Sequence, residues 1–193
     1  DQSGSNSDAR ATSLLYFDCF RSVDFAVSSN LHLILDIQDN RLIHKPKEFF
    51  TSLPQVESVV YGEGKFILLG GKHYGHVILQ LESNPNLDGC FMLWSVGEIP
   101  IPDKYLPLDF HDNPAFYNDY LITQHFLEDV YEGLREAMTE ETESDYRVTS
   151  YVPFPYENTN IRIIGGLEHP VDSKPSSFRR AACLALAQAV SQL

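Results

Sequence analysis

The sequence predicts an α+β domain in which an antiparallel β-meander packs against a long amphipathic acidic helix and a C-terminal helix. Three observations predict it. Short apolar runs bounded by turn residues crowd the first half. Apolar residues spaced by threes and fours fill 114–138. Strands and helices are segregated along the chain, whereas a doubly wound parallel sheet needs them to alternate. A length of 193 residues with 43% hydrophobic and 12% aromatic content is that of one globular domain with a real core.

Residues 1–12 are small and polar and predict a flexible leader, leaving 13–193 as the single folded domain. Strand-like runs follow at 14–20, 31–37, 56–61, 66–69, 76–81 and 90–96. Residues 45–53 predict a short helix begun by Pro46 and stopped by Pro54. Gly62-Glu63-Gly64 reads as the reversal of a hairpin between 59–61 and 65–69, because glycine supplies the positive φ of a tight turn. Residues 70–75 then lead to 76–81, and 84–89 turn the chain into 90–94. Four consecutive strands on short loops make the meander.

Pro100, Pro102 and Pro107 exclude a regular element from 97–112. Asn113 as N-cap and Pro114 at the first helical position start the long helix. Phe116, Tyr117, Tyr120, Leu121, Leu127, Tyr131, Leu134 and Met138 form its apolar face; Asp119, Glu128, Asp129, Glu132 and Glu136 form its acidic one. A charged hinge at 139–145 leads to a second hairpin, 146–152 with 160–164. Gly165-Gly166 and 170–175 form a loop, and Ser176 or Ser177 caps an alanine-rich helix over 178–193.

The apolar runs fall far short of the ~20 residues a spanning helix needs, so no membrane partner is expected. Cys19, Cys90 and Cys183 are odd in number and widely spaced, and two sit in apolar strings. Buried thiols and a cytoplasmic location are the expectation. With 14 Lys plus Arg against 27 acids, nucleic acid is not an expected partner.

No cofactor motif emerges. The glycine-and-lysine runs at 62–65 and 70–72 resemble phosphate loops, but a phosphate loop joins a strand to a helix and follows its Lys with Ser or Thr. His73 and His76 have the spacing of a metal pair, yet further ligands with matching spacing are missing, so no metal site is expected. His125 stands one turn from Glu128 and Asp129, where a helix-packing histidine is the simpler account.

The leading expectation is a protein-binding module rather than an enzyme: an inhibitor, immunity protein or secretion chaperone that engages a basic protein partner through Asp119, Glu128, Asp129, Glu132 and Glu136. The net charge of -13 is concentrated around that helix, and such a field attracts cationic partners. Tyr117, Tyr120 and Tyr131 would add aromatic anchors. Arg179-Arg180 could meet the same carboxylates within the chain or across a homodimer. Against this stands a purely solvated acidic face. The alternative function is a small-molecule-binding protein or enzyme with a pocket between sheet and long helix, using His73, His76 or His125. From Val56 onward, the order of three strands, helix, two strands and helix with acidic charge resembles class I type III secretion chaperones, which implies a dimeric binder of protein segments. The paired strands of 55–81 are similar, more faintly, to longin-type trafficking modules.

Overall fold

The structure, a computed structural model, describes residues 31–36, 41–46, 59–68, 70, 72–83, 90–140 and 149–193. The leader, the run at 14–20 and most of the charged hinge lie outside the described residues. Two short strands, β1 (Leu31–Asp36) and β2 (Arg41–Pro46), pair antiparallel as a separate ribbon, with β1 beside β5. Lys45 and Pro46 thus belong to β2 rather than to the helix expected over 45–53; the rest of that segment lies outside the described residues.

The main sheet contains β3 (Val59–Leu68), β4 (His73–Ser83), β5 (Cys90–Trp94) and β6 (Thr159–Gly165) in the order β3-β4-β6-β5. It is mostly antiparallel, but it is not the expected meander. Strand β6 returns from far along the chain, pairs antiparallel with β4, and pairs parallel with β5. Ile161, Ile163 and Ile164 are fully buried, which places β6 at the centre of the sheet. Its expected hairpin partner, 146–152, is irregular over the described residues 149–152; the rest lies outside the described residues.

The first expected hairpin is also absent, and for an informative reason. Strand β3 runs straight through Gly62-Glu63-Gly64 and pairs with β4 along its whole length. The two glycines serve close packing. A Cβ on Gly62 would overlap the carbonyl oxygen of Ala185, and one on Gly64 would overlap that of Ala181. Gly75 meets the backbone of Ser177 in the same way. The reversal occurs instead near Gly70, whose φ of 64° is the left-handed conformation glycine favours.

The helix behind that seam, α3 (Pro175–Val190), begins at Pro175 with Lys174 as N-cap; neither Ser176 nor Ser177 caps it. Ala181, Ala185 and Ala189 are fully buried where it crosses the sheet. The second core helix is α2 (Leu127–Met138), and its Gly133 lets it approach the backbone of Arg179. Between helices and sheet lies the main core: Val77, Leu79 and Leu81, with Met92, Ile161 and Ile163, against Val130, Leu134, Phe178 and Leu186. Phe126 stacks on Phe178 with centroids 4.1 Å apart. A smaller cluster on the other sheet face gathers Ile78, Tyr105 and Ile164 under the proline-bearing segment. Cys90 and Cys183 are buried, and burial pushes the Cys90 thiol well above its ordinary pKa.

The expected long helix is divided. Asn113 and Pro114 start α1 (Pro114–Asn118) as predicted, but it ends after five residues. A 3-10 turn, Gln124–Phe126, precedes α2. Between them, the backbone groups a helix would use are bonded elsewhere. Ile122 N–H donates to Gly166 O at 3.0 Å, Glu168 N–H donates to Tyr120 O at 2.8 Å, and Leu121 forms a bridge with Leu167. Thr123 adds two bonds of 2.9 Å to the Glu168 carboxylate. These contacts draw Leu121-Ile122-Thr123 into an extended path that β-branched residues accept readily.

Candidate functional site

The five carboxylates expected to share one helix face are spread over two helices and differ in environment. Asp119 caps the C-terminus of α1 and is exposed; Glu128 is exposed in the first turn of α2. Neither forms an ion pair among the described residues. Glu132 is partly buried and accepts from Arg135 Nε at 3.0 Å and Nη2 at 2.7 Å. Burial opposes the charge of Arg135, yet the hydrogen bond and charge of Glu132 raise its pKa.

Arg179 on α3 stands between the remaining two acids, 3.7 Å from Asp129 and 3.8 Å from Glu136. Glu136 is only 7% exposed and also accepts from the Thr149 hydroxyl at 3.2 Å. Burial raises the Asp129 pKa; Arg179 pulls it the other way without cancelling the effect. Three of the five acids therefore meet the chain's own arginines, and a partner's cations would first compete with Arg135 and Arg179.

The histidines do not converge. His73 and His76 are three apart on one strand, so they project to opposite faces of the sheet. His125 is exposed in the 3-10 turn, edge-on to Phe126. No group of three or more metal-ligating side chains occurs among the described residues. His76 instead faces Glu63, with Nε2 2.9 Å from Oε1, while Lys65 Nζ approaches the same oxygen at 2.7 Å. His76 is 2% exposed, and burial holds its imidazole below the ordinary pKa despite Glu63. Burial works to raise Glu63, but the hydrogen bonds from His76 and Lys65 outweigh it and leave its carboxyl lowered.

A polar cluster that the sequence reading missed lies further along this face. Arg162 Nε donates to Glu82 at 2.7 Å, Asn160 Nδ2 reaches the same carboxylate at 3.4 Å, and Gln80 bonds to it as well. Its signal was available in the alternation of Gln80 and Glu82 with Leu79 and Leu81, and of Asn160 and Arg162 with Ile161 and Ile163.

One end of the sheet has the composition of a recognition surface. The β3–β4 tip and the 166–174 loop meet there: Tyr74 N–H donates to Asp172 O at 2.9 Å, and Tyr74 bridges to Ser173. The loop is tied internally by His169 N–H to Ser173 Oγ at 2.8 Å and by the Asp172 N–H donating to His169 Nδ1 at 3.2 Å. Ile67, Leu68 and Val171 are exposed at 58%, 45% and 73%. Lys72 and Lys174 are exposed and in no ion pair among the described residues. At this end exposed apolar side chains thus stand beside two lysines and the loop acids Glu168 and Asp172.

No family model matches the chain. It is 30% identical over 175 residues to elongation factor G of Carsonella ruddii (strain PV), in an alignment that covers 84% of this chain and 21% of that protein. The chain therefore spans about a fifth of the length of this relative. A crystal structure of a protein from Thermus thermophilus superposes with a TM-score of 0.44 at 20% identity, covering 84% of this chain and 24% of that one.

Proposed function

We propose that this chain is the counterpart of the fifth of elongation factor G with which it aligns, and that it serves as a recognition module of an elongation factor. The observation that carries the reading is 30% identity sustained over 84% of the chain. The joined tip and loop, with Lys72, Lys174 and Val171 exposed, supply the contact surface, and the glycine–alanine seam between β3 and α3 holds it rigidly. The test is a chimaera in which this chain replaces the aligned segment of an elongation factor G. The expected result is factor activity well above that of a factor lacking the segment. Lys72→Glu with Lys174→Glu should then remove most of it without unfolding the protein. A folded chimaera no more active than the deletion would overturn the reading.

A second reading keeps the acidic surface as a dock for a basic protein, favoured by the exposure of Asp119 and Glu128. Reversing Asp129, Glu132 or Glu136 would break ion pairs with Arg179 or Arg135, so the clean variant is Asp119→Lys with Glu128→Lys. Loss of salt-sensitive capture of a basic protein is the expected outcome. Unchanged capture by the reversed protein would eliminate this reading.

A further inference from the structure

The first turn of the expected helix has no structural explanation in the core, in contrast to Ile122, which follows it and is buried in the main cluster. Helix α1 buries none of its residues. Ordering such a turn costs conformational entropy that burial does not return here. Its side chains are nevertheless arranged. The Phe116 ring packs on Tyr120 at 4.8 Å and edge-on to Tyr117 at 5.3 Å, while Tyr117 meets Phe110 at 5.8 Å. Tyr117 donates its hydroxyl to Asp109, and the following residues are anchored to the 166–168 loop. Phe116 remains 56% exposed and Leu108 fully exposed, while Phe110, Tyr117 and Tyr120 are half-buried, so the array meets solvent chiefly through Phe116.

Charge identifies the occupant. No lysine or arginine lies between Lys104 and Arg135, while Asp109, Asp112 and Asp119 lie within the aromatic segment. None of the three is in an ion pair among the described residues. Outward aromatic faces beside unneutralised carboxylates attract guanidinium and ammonium groups, through the ring quadrupole and through direct charge. They repel anionic lipid and nucleic acid.

We propose that the Phe110–Tyr117–Phe116–Tyr120 array, with Asp112 and Asp119, is a docking surface for an arginine-rich basic segment of a partner protein. It is independent of the elongation-factor reading, which a chimaera tests. It shares Asp119 with the charge-only dock of Asp119 and Glu128 but differs from it, because here the rings are required.

The test uses the full chain and a fluorescein-labelled peptide of repeating arginine, leucine and glycine, followed by fluorescence anisotropy. A control peptide carries citrulline in place of arginine, which keeps the shape and removes the charge. The arginine peptide should bind, more weakly as salt rises, and the citrulline peptide should not. Phe116→Ala with Tyr120→Ala, and separately Asp112→Asn with Asp119→Asn, should each weaken binding by about tenfold or more, as expected of central contacts. Glu128→Gln on α2 should leave it unchanged. Thermal midpoints should match for the exposed Phe116, Asp112 and Asp119, and a variant that shifts, as one with the half-buried Tyr120 can, is replaced by Phe116→Ser alone, judged by the same loss. No binding of the arginine peptide, equal binding of the citrulline peptide, or binding that survives either double substitution would overturn the proposal. A loss with Glu128→Gln as large as that from the ring pair would do the same.

Discussion

The two helices that replace the expected 114–138 helix stand in opposite relations to the core. Helix α2 buries Val130, Leu134 and Ala137 completely and presses Gly133 against the backbone of α3; α1 buries nothing. Composition and apolar spacing do not separate them. What separates them is the backbone between, where Ile122 and Tyr120 bond to the 166–168 loop rather than to a helical neighbour. Periodicity reports that a segment has an apolar face, but it does not say whether a surface awaits that face.

If that contrast is real, substitutions of similar size should have very different effects in the two halves. The largest is Leu134→Ala, which opens a cavity in a fully buried site and should cost about 2–5 kcal/mol in chemical denaturation. Next, Arg179→Ala leaves Asp129 and the buried Glu136 without their shared cation. It should cost about 1–2 kcal/mol, discounted for partial exposure and for ion-pair distances of 3.7 and 3.8 Å.

A pH comparison extends the contrast between buried and exposed sites, because the sheet and the α1 segment each contain a carboxylate bonded to a titratable ring. In the buried pair, the His76 imidazole is held below its ordinary pKa, so the unfolded chain binds its proton more readily. That pair's contribution is fully present above the ordinary histidine value of about 6.5 and is lost as pH falls below it. Glu63, also lowered, adds a loss of the same sign at lower pH, beneath its ordinary value of 4.5. Denaturant midpoints measured from pH 7.5 down to 5.5 (a window of about two units around that value) should fall more for the native protein than for His76→Gln. In the exposed pair, Tyr117→Phe should leave the pH profile of stability unaltered. The smallest expected effect is Phe116→Ala, within about 0.5 kcal/mol of the native protein because nothing around it is buried. A large loss there would erase the contrast.

Much of the element content was legible in the residues. The strand cores at 76–81 and 90–94, the start at Asn113-Pro114 and the alanine-rich last helix all follow from local pattern. Pairing was not legible, because the partner of β5 is 69 residues away in register, Cys90 opposite Thr159. Consecutive strands were assigned to one another, as sequence adjacency suggests. The glycines at 62 and 64 misled for a related reason. A glycine that permits a turn and a glycine that admits a helix backbone look the same until the helix is placed. At the candidate site, the carboxylates were legible as types but not as pairs, since Arg179 lies 50 residues beyond Asp129 in the chain. The composition of the β3–β4 tip was hidden by averaging: Lys72 and Lys174 contribute little to a total of -13, and the segments that carry them are joined only in the folded protein, through Tyr74 and Ser173.

The position of β6 carries a consequence for biosynthesis. Strand β6 follows β4 and β5 by many residues in the chain, so those two strands each wait with an open flank until Thr159–Gly165 arrives to join them. A nascent chain halted before that point displays two open apolar strand edges and invites association with its neighbours. Premature termination between β5 and β6 should therefore give insoluble material rather than a smaller working protein.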